Sequence, residues 1–284
     1  MASDGSPLPF QPSLRSPPSG ERVGAPAPSS EATITVYLRG QGIDPVPGRL
    51  SREEYAVAHG ASPEDVDAIR RFASDHGLSV TAVRPERRSV ELSGTIAALC
   101  AAFGVTLGLY RVGQGAVYRG REGVVYLPPE LHPLIKGVFG LDERPQARPQ
   151  FRPRADASSP YTPPAVAAAY RFPTGVTGAG ECVALIELGG GFREEDLNAY
   201  FASLGLKPPT VEAVPVGQGG NDPGSADGPD GEVMLDIEVV GALAPDATIA
   251  VYFAANTDQG FIDAVNAAVH DATRRPSVIS ISWG

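Results

Sequence analysis

Hydrophobic and polar positions change period several times in the first half of the chain. The segment Ala32–Arg39 alternates between apolar and polar residues, which predicts a strand. Helical spacing predicts helices over Leu50–His59, Ser62–Gly77 and Thr95–Phe103. Short runs rich in β-formers predict further strands at residues 78–84, 89–92, 106–111 and 124–127. This order predicts an α+β domain with helices on one face of an antiparallel sheet.

The second half has the pattern of a parallel α/β sheet. Glu181–Leu188 is a nearly continuous apolar run, as in a strand buried on both faces, and three glycines follow it. A helix is predicted at Asp196–Leu204. Residues 248–253, 258–272 and 277–282 then predict a strand, a helix and a strand. We therefore classify the first domain as α+β and ferredoxin-like, and the second as an α/β parallel sheet that is truncated.

Two segments lack any periodic pattern. Met1–Ser30 is rich in serine, proline and glycine without an apolar stretch, which predicts a disordered leader. Repeated prolines between Arg144 and Pro164 predict an extended linker. The predicted organisation is a leader at 1–30, a domain at 31–145, a linker at 146–160 and a second domain at 161–284. The linker arginines also leave open a nucleic-acid contact, although a solvated connector explains them without a ligand.

Charge is distributed unevenly over these segments. Residues 1–155 carry 18 Lys+Arg against 16 Asp+Glu, and residues 156–284 carry 5 against 17, so +2 and −12 sum to the net −10. The asymmetry predicts that a mildly basic segment docks on an acidic one and that carboxylate protonation weakens this contact as pH falls. The chain has no apolar run of about 18 residues, and neither a membrane nor a nucleic acid is predicted as a partner. Cys100 and Cys182 lie in different predicted domains, which predicts free buried thiols.

The strongest candidate chemistry lies between Gly228 and Pro245. Asp230 is placed to cap a helix whose residues are apolar on nearly every side, so we predict that this helix is buried. Glu232 and Asp236 are four residues apart and share one face of it. Two carboxylates in a dry setting share a proton, and such pairs suit proton transfer at acid pH. The alternative is that both acids complement the helix dipole and face water.

Other residues with reactive or polar side chains have structural explanations as well as functional ones. Glu187 ends the apolar strand at the edge where parallel sheets build sites, and Trp283 ends the last strand. Either residue also fits a purely structural role, as an ion-paired glutamate or a packed tryptophan. The acids of the Gly/Pro-rich loop do not have the spacing of a calcium loop: Asp222, Asp227 and Asp230. The four histidines form no metal-ligand motif, and no GxSxG motif occurs.

Several long segments resemble the sedolisins, the serine-carboxyl peptidase family. IELGGGF, YFASLGL, GPDGEVMLDIEVVGALAP and SVISISWG are similar to the first third of that family's mature domain. Upstream, ELSGTIAALCAAFGV, YRGREG and LDERPQARPQFRPR are similar to its activation propeptide. The resemblance covers about residues 31–284, in the family's order.

The resemblance implies a subtilisin-like catalytic domain and a role for each candidate. Glu232 corresponds to the general base that takes the proton of the nucleophilic serine, and Asp236 to the aspartate that hydrogen-bonds it and shares its proton. Glu187 and Trp283 match residues that extend this network. The family's propeptide acts as an intramolecular chaperone and inhibitor, and self-cleavage is expected near Arg154, Ala155 and Asp156.

The resemblance also implies what this chain lacks. The serine of the SGTSxxxP motif, the oxyanion-hole aspartate and the calcium ligands of the full-length enzyme fall beyond Gly284, so no metal site is expected within the chain. We predict the precursor of a secreted, acid-acting endopeptidase with protein or peptide substrates, inactive as this chain alone because it lacks the nucleophile. Two alternatives stay open: a propeptide-like inhibitor or folding module that acts on a separate mature peptidase, and a non-enzymatic acidic binding domain.

Overall fold

The computed structural model describes residues 6–42, 50–113, 115–151, 161–224 and 228–284. The chain divides into two compact units, residues 1–144 with 257–259 and residues 145–256 with 260–284. Within the described ranges, none of the helices has the length and apolar character needed to cross a bilayer.

The first unit is built from short strands and three α-helices in its described part. Its strands are β1 (Leu8–Phe10), β2 (Glu21–Gly24), β3 (Glu31–Leu38), β4 (Ser79–Arg84), β5 (Ser89–Thr95), β6 (Thr106–Arg111), β7 (Val117–Glu122), β8 (Val125–Leu127) and β9 (Ile135–Phe139). Its helices are α1 (Arg52–His59), α2 (Pro63–Asp75) and α3 (Ile96–Phe103). Side chains of Ser51, Ser62 and Thr95 cap these helices by accepting backbone N–H groups.

The main sheet of this unit has the strand order β4-β5-β3-β9, with every neighbouring pair antiparallel. This is the order of a split βαβ, or ferredoxin-like, arrangement. The predicted strand at Thr106–Arg111 exists as β6, but it pairs with β2 and β7 in a separate sheet. The pattern missed β9, whose glycine and lysine weaken its apolar signal. The α+β class of this unit was therefore predictable, but strand pairing decided that β9, and not β6, is the fourth strand of the main sheet.

The prediction of a disordered leader is wrong for residues 6–30. β1 pairs with β8, and β2 pairs with β6. Phe10 is 3% exposed in the core. The buried Arg121 guanidinium donates to the Ser13 carbonyl oxygen at 2.5 Å and also to the Gly123 carbonyl oxygen. A segment of low apolar content is still ordered when it pairs with the free edge of a strand. Here β8 and β6 each offer such an edge, and β1 and β2 pair with them.

Deleting residues 1–24 is expected to lower the free energy of unfolding of the first unit by about 2–4 kcal/mol. The deletion removes the buried Phe10 side chain and leaves the Arg121 guanidinium without its Ser13 acceptor. Urea unfolding followed by tyrosine fluorescence measures the change, with deletion of residues 1–5 as the control. Equal midpoints for both deletions would show that the segment contributes nothing to stability.

The second unit is a parallel sheet with helices on both faces. Its elements are α4 (Pro163–Ala169), β10 (Cys182–Glu187), α5 (Glu194–Ser203), β11 (Thr210–Pro215), α6 (Pro229–Leu243), β12 (Thr248–Phe253), α7 (Asp258–Val269) and β13 (Val278–Ile281). The strand order is β11-β12-β10-β13, all parallel. The predicted βαβ unit is confirmed, with β10 inserted between its two strands. The short α4 and β11 were not predicted.

Two apolar cores lie on the two faces of this sheet. On one face Ile186 and Tyr252 pack with Ala264 of α7. On the other face Leu185 packs with Phe201 of α5 and with the apolar residues of α6. Because alternate residues of β10 enter different cores, the strand reads as a continuous apolar run, as its sequence predicted.

The two cysteines occupy different units and are free thiols. Cys182 is buried in β10, and Cys100 is half-buried in α3. Burial raises the pKa of both thiols. The prediction of unpaired, buried cysteines is confirmed for Cys182 and holds in part for Cys100.

Candidate active site

Helix α6 carries the predicted acidic pair. It begins at Pro229 with Gly228 as the N-cap, so the prediction that Asp230 caps the helix is wrong. Val233 and Ile237 are fully buried, and Glu232 is only 2% exposed. Burial of the Glu232 side chain argues against the alternative that both acids of the pair simply face water.

Glu187 and Trp283 meet at the end of the sheet. Both β10 and β13 end at this edge, and the strands are parallel neighbours, so residues that follow them lie side by side. The Trp283 Nε1–H donates to Glu187 Oε2 at 2.7 Å. Glu187 is 0% exposed, and its Oε1 has no hydrogen-bond partner in the described structure. The two residues singled out from the sequence therefore form one buried contact.

The carboxyl groups influence one another electrostatically. The pKa of Glu187 is raised to about 8, mainly by burial and also by the charges of Asp236 and Glu232, while the Trp283 hydrogen bond opposes this rise. Burial also raises the pKa of Asp236, and the charge of Glu232 adds to this effect. Glu187 is consequently neutral at acid pH, and this limits the negative charge next to Glu232 and Asp236.

Ser282 is a site residue that the sequence analysis did not single out. Its Oγ donates to Asp236 Oδ2 at 2.7 Å, and this hydrogen bond favours the charged form of Asp236. In the described contacts no hydrogen bond joins Asp236 to Glu232, so the expected direct bond between them is not present here. Ser282 comes just before Trp283 in the SISWG segment, and only its position at the sheet end brings it to Asp236.

Replacing Ser282 by alanine is expected to raise the pKa of Asp236 further, since the carboxylate loses a hydrogen bond that stabilises its charge. Carbon-13 NMR titration of the aspartate carboxyl carbons measures the shift. Ser282→Thr keeps the hydroxyl and should retain the native pKa, and Ser280→Ala is the matched change on the same strand. An unchanged Asp236 pKa in Ser282→Ala would disprove this role.

Residues 146–151 of the predicted linker belong to the second unit and form hydrogen bonds within it. Arg148 and Gly284 exchange backbone hydrogen bonds of 3.1 and 3.2 Å. The Asn256 side chain accepts backbone N–H groups of residues 146 and 147. The backbone N–H of Phe151 donates to Glu232 Oε2. The segment 145–151 thus brings a peptide N–H to the candidate general base.

The expected self-cleavage region lies outside the described residues, since Arg154, Ala155 and Asp156 fall within residues 152–160.

The glycine turn after β10 is clamped by two polar side chains. Gly190 has φ +72°, and a Cβ there would lie 2.7 Å from the Asp230 backbone nitrogen, so this position requires glycine. Asp230 Oδ1 accepts the Gly191 N–H at 3.0 Å. Asn221 accepts the Phe192 N–H at 2.7 Å and donates to its carbonyl oxygen at 3.0 Å. Asn221 was not predicted as a site residue, because a loop asparagine carries no periodic signal.

The acidic loop does not form a metal centre in the described structure. Asp222 is exposed, Asp230 belongs to the glycine-turn clamp, and Asp227 lies outside the described residues. Within the described ranges, no group of three or more His, Cys, Asp or Glu side chains is arranged to hold a metal ion. The calcium site that the resemblance implies for the full-length enzyme stays a prediction.

Comparison with known proteins extends the resemblance. The family model described as "Pro-kumamolisin, activation domain" matches residues 46–144. Kumamolisin of Bacillus sp. (strain MN-32) is 50% identical over 248 residues, which are 83% of this chain and 45% of that protein. Tripeptidyl-peptidase sed5 of Aspergillus fumigatus is 26% identical over 94% of this chain and 54% of its own length. Sedolisin of Pseudomonas sp. (strain 101) is 22% identical over 82% of this chain and 42% of its own length.

These matches, together with the buried carboxyl cluster at the end of a parallel sheet, support the sedolisin family for this chain. The chain is similar to kumamolisin in particular, at 50% identity, and its residues 46–144 match the activation domain of pro-kumamolisin. The chain spans about half the length of the known relatives it matches.

Proposed function

We propose that this chain is the propeptide and the first part of the catalytic domain of a secreted, acid-acting serine-type endopeptidase. One observation carries the proposal. Glu232 is buried on an apolar helix at the carboxyl edge of a parallel sheet, beside Asp236 and Glu187, in a chain that is 50% identical to kumamolisin over 83% of its length. A structural helix has no need of such a carboxyl cluster, since burying each charge is costly. The proposed fold of the complete catalytic domain is subtilisin-like.

In the proposed reaction Glu232 is the general base. The hydroxyl oxygen of a serine supplied by the rest of the protein attacks the substrate carbonyl carbon, and its proton passes to the Glu232 carboxylate. Glu232 then donates this proton to the amine that leaves as the peptide bond breaks, and water hydrolyses the acyl-enzyme by the same exchange. A glutamate ordinarily releases its proton at a lower pH than an imidazolium does, so a glutamate suits the role of base in more acidic solution.

The neighbouring groups would set the charge that surrounds Glu232. Ser282 donates a hydrogen bond that favours an ionised Asp236. Glu187, with its pKa raised to about 8, stays neutral at acid pH and so does not repel a charge on Glu232. We infer that Trp283 positions Glu187 through its indole N–H.

The linker contact suggests how the precursor restrains this site. The Phe151 N–H occupies Glu232 Oε2, the oxygen that would accept the serine proton. Residues 145–151 therefore block the base until they leave, and cleavage in the region 154–156 would free them. The first unit, which carries the activation-domain match, is the intramolecular partner in this proposal. Calcium bound outside this chain remains a proposed requirement of the complete enzyme.

The experiment is to extend the chain through its own reading frame to the length of its relatives and to assay hydrolysis of a denatured protein at pH 4. We expect self-processing to a new N-terminus within residues 152–160, followed by hydrolysis that stops when the downstream motif serine is replaced by alanine. The proposal fails if the reading frame holds no serine motif, or if the serine-to-alanine variant is equally active. Inhibition of a separate peptidase by residues 31–155, with no activity in the extended chain, would favour the inhibitor alternative.

A further inference from the structure

The first turn of α6, which carries Glu232, receives little support from the helix itself. Its N-cap is Gly228, which has no side chain to accept a backbone N–H, and the Gly231 N–H donates to the Gly228 carbonyl oxygen at 3.1 Å. The first N–H groups of a helix have no acceptors within the helix, so such a turn frays unless other segments hold it. The position of Glu232 therefore depends on contacts outside α6.

The glycine turn after β10 supplies such a contact. Gly190 lies so close to the start of α6 that a Cβ there would be 2.7 Å from both the Pro229 carbonyl carbon and the Asp230 nitrogen. Asp230 Oδ1 accepts the Gly191 N–H at 3.0 Å. Asp230 is 6% exposed, and its Oδ2 has no hydrogen-bond partner in the described structure. The bond from the Gly191 N–H is therefore the polar contact that fixes this side chain.

The same turn also contacts the other groups of the candidate active site. It follows Glu187, the last residue of β10. A Cβ at Gly189 would lie 3.8 Å from Trp283 Cη2 and 3.9 Å from Pro229 Cβ, which are ordinary van der Waals distances. The turn thus lies next to Trp283, the hydrogen-bond partner of Glu187, and next to the start of α6. It sets how the first turn of α6 sits relative to these two residues.

A second segment restrains the backbone of the glycine turn. The Asn221 side chain accepts the Phe192 N–H and donates to the Phe192 carbonyl oxygen. The Asp222 N–H donates to the Gly190 carbonyl oxygen at 3.2 Å. With the turn held by these bonds, the Gly191 N–H is a fixed donor, and the α6 side chain that accepts it is anchored in turn.

We propose that Asp230 is a positioning residue for Glu232. It holds the first turn of α6 on the glycine turn and so keeps the Glu232 carboxylate where it now accepts the Phe151 N–H and where the serine proton would reach it. The role uses the acceptor oxygen of Asp230 and not its charge. The proposal rests on the peptidase function proposed above and deepens it.

Hydrogen exchange of the 284-residue chain, followed by NMR, tests this role without catalysis. Asp230→Ala should raise the exchange rate of the Phe151 N–H at least about tenfold, because a displaced carboxylate no longer accepts it. The Arg148 N–H, which donates to the Gly284 carbonyl oxygen, should change less than about twofold. Asp230→Asn keeps the acceptor and should restore slow exchange at Phe151.

Two further variants complete the measurement. Asp196→Ala removes an exposed aspartate from the first turn of α5 and should leave both N–H groups unchanged. Asn221→Ala loosens the glycine turn and should also speed exchange selectively at Phe151, so it replaces Asp230→Ala if that variant does not fold. Unchanged protection of Phe151, equal loss at Phe151 and Arg148, or failure of Asp230→Asn to restore protection overturns the proposal.

In the chain extended to the length of its relatives, the same substitutions separate the positioning role from the peptidase function. Asp230→Ala should lower kcat for a protein substrate at least about tenfold and change KM less than about threefold, since a displaced base slows chemistry more than binding. Asp230→Asn should stay within about threefold of the parent. An inactive parent rejects the peptidase function, whereas an active parent with the same kcat as Asp230→Ala rejects the positioning role alone.

Discussion

Replacing Glu232 by glutamine in the chain extended to the length of its relatives is expected to lower kcat/KM for a protein substrate at pH 4 by about a thousandfold or more. Glutamine has nearly the same shape and still accepts the Phe151 N–H, but its amide cannot take the serine proton. The side chain is 2% exposed, so no water at its surface can substitute as a base without repacking. The loss should fall mainly on kcat.

The measurement needs mature protein, because a variant without a base cannot process itself. Trace active enzyme removes the propeptide and is then inactivated or separated before the assay. Glu195→Gln, which changes an exposed glutamate of α5, is the control and should stay within about twofold of the parent. Activity of Glu232→Gln within tenfold of the parent would remove Glu232 from the role of general base.

The stability of the second unit is expected to fall as pH rises from about 4.5 to 8, and Glu187 should be the main cause. Its pKa is raised from 4.5 to about 8 in the folded chain, so between these values the native state binds a proton that the unfolded state has released. The stabilisation is fully present below pH 4.5 and is lost as pH rises through 8. A difference of this size corresponds to roughly 3–5 kcal/mol.

Glu187→Gln isolates this contribution, since glutamine keeps an acceptor for the Trp283 indole and is neutral at every pH. Urea unfolding of both proteins at pH 4.5, 6 and 8 should show curves that diverge, with the variant losing less stability. The pKa values of Asp236 and Glu238 are raised as well. The free energy of unfolding should therefore still fall with rising pH in Glu187→Gln, but less steeply than in the parent. Parallel pH profiles for the parent and the variant would disprove the role of Glu187.

The fold class of each unit could be predicted because periodicity reports burial directly. β10 and β12 are almost wholly apolar since they enter both cores of the second unit, and α2 shows serine capping at its start. Short elements with mixed composition were not predicted. β9 and β11 owe their formation to pairing with β3 and β12, a gain that no local pattern records.

Some residues of the candidate site could likewise be predicted from the sequence, and others could not. The spacing of Glu232 and Asp236 showed that they share a helix face, and the family resemblance assigned their roles. The linker residue Phe151, the hydroxyl of Ser282 and the unpaired oxygen of Asp230 had no signal in the sequence. Phe151 and Ser282 lie far along the chain from Glu232 and Asp236, so only folding brings these groups into contact.

The sequence by itself determined that an acidic pair lies on an apolar helix of a parallel α/β unit, because composition and period are local properties. Tertiary structure alone decided how each carboxyl is charged and partnered. Burial makes Glu187 a weaker acid than an exposed glutamate. Asp236 accepts a hydrogen bond from Ser282, and Glu232 accepts one from the Phe151 N–H. Desolvation and hydrogen bonding depend on all the atoms that surround a group, and those atoms come from segments far apart in the chain.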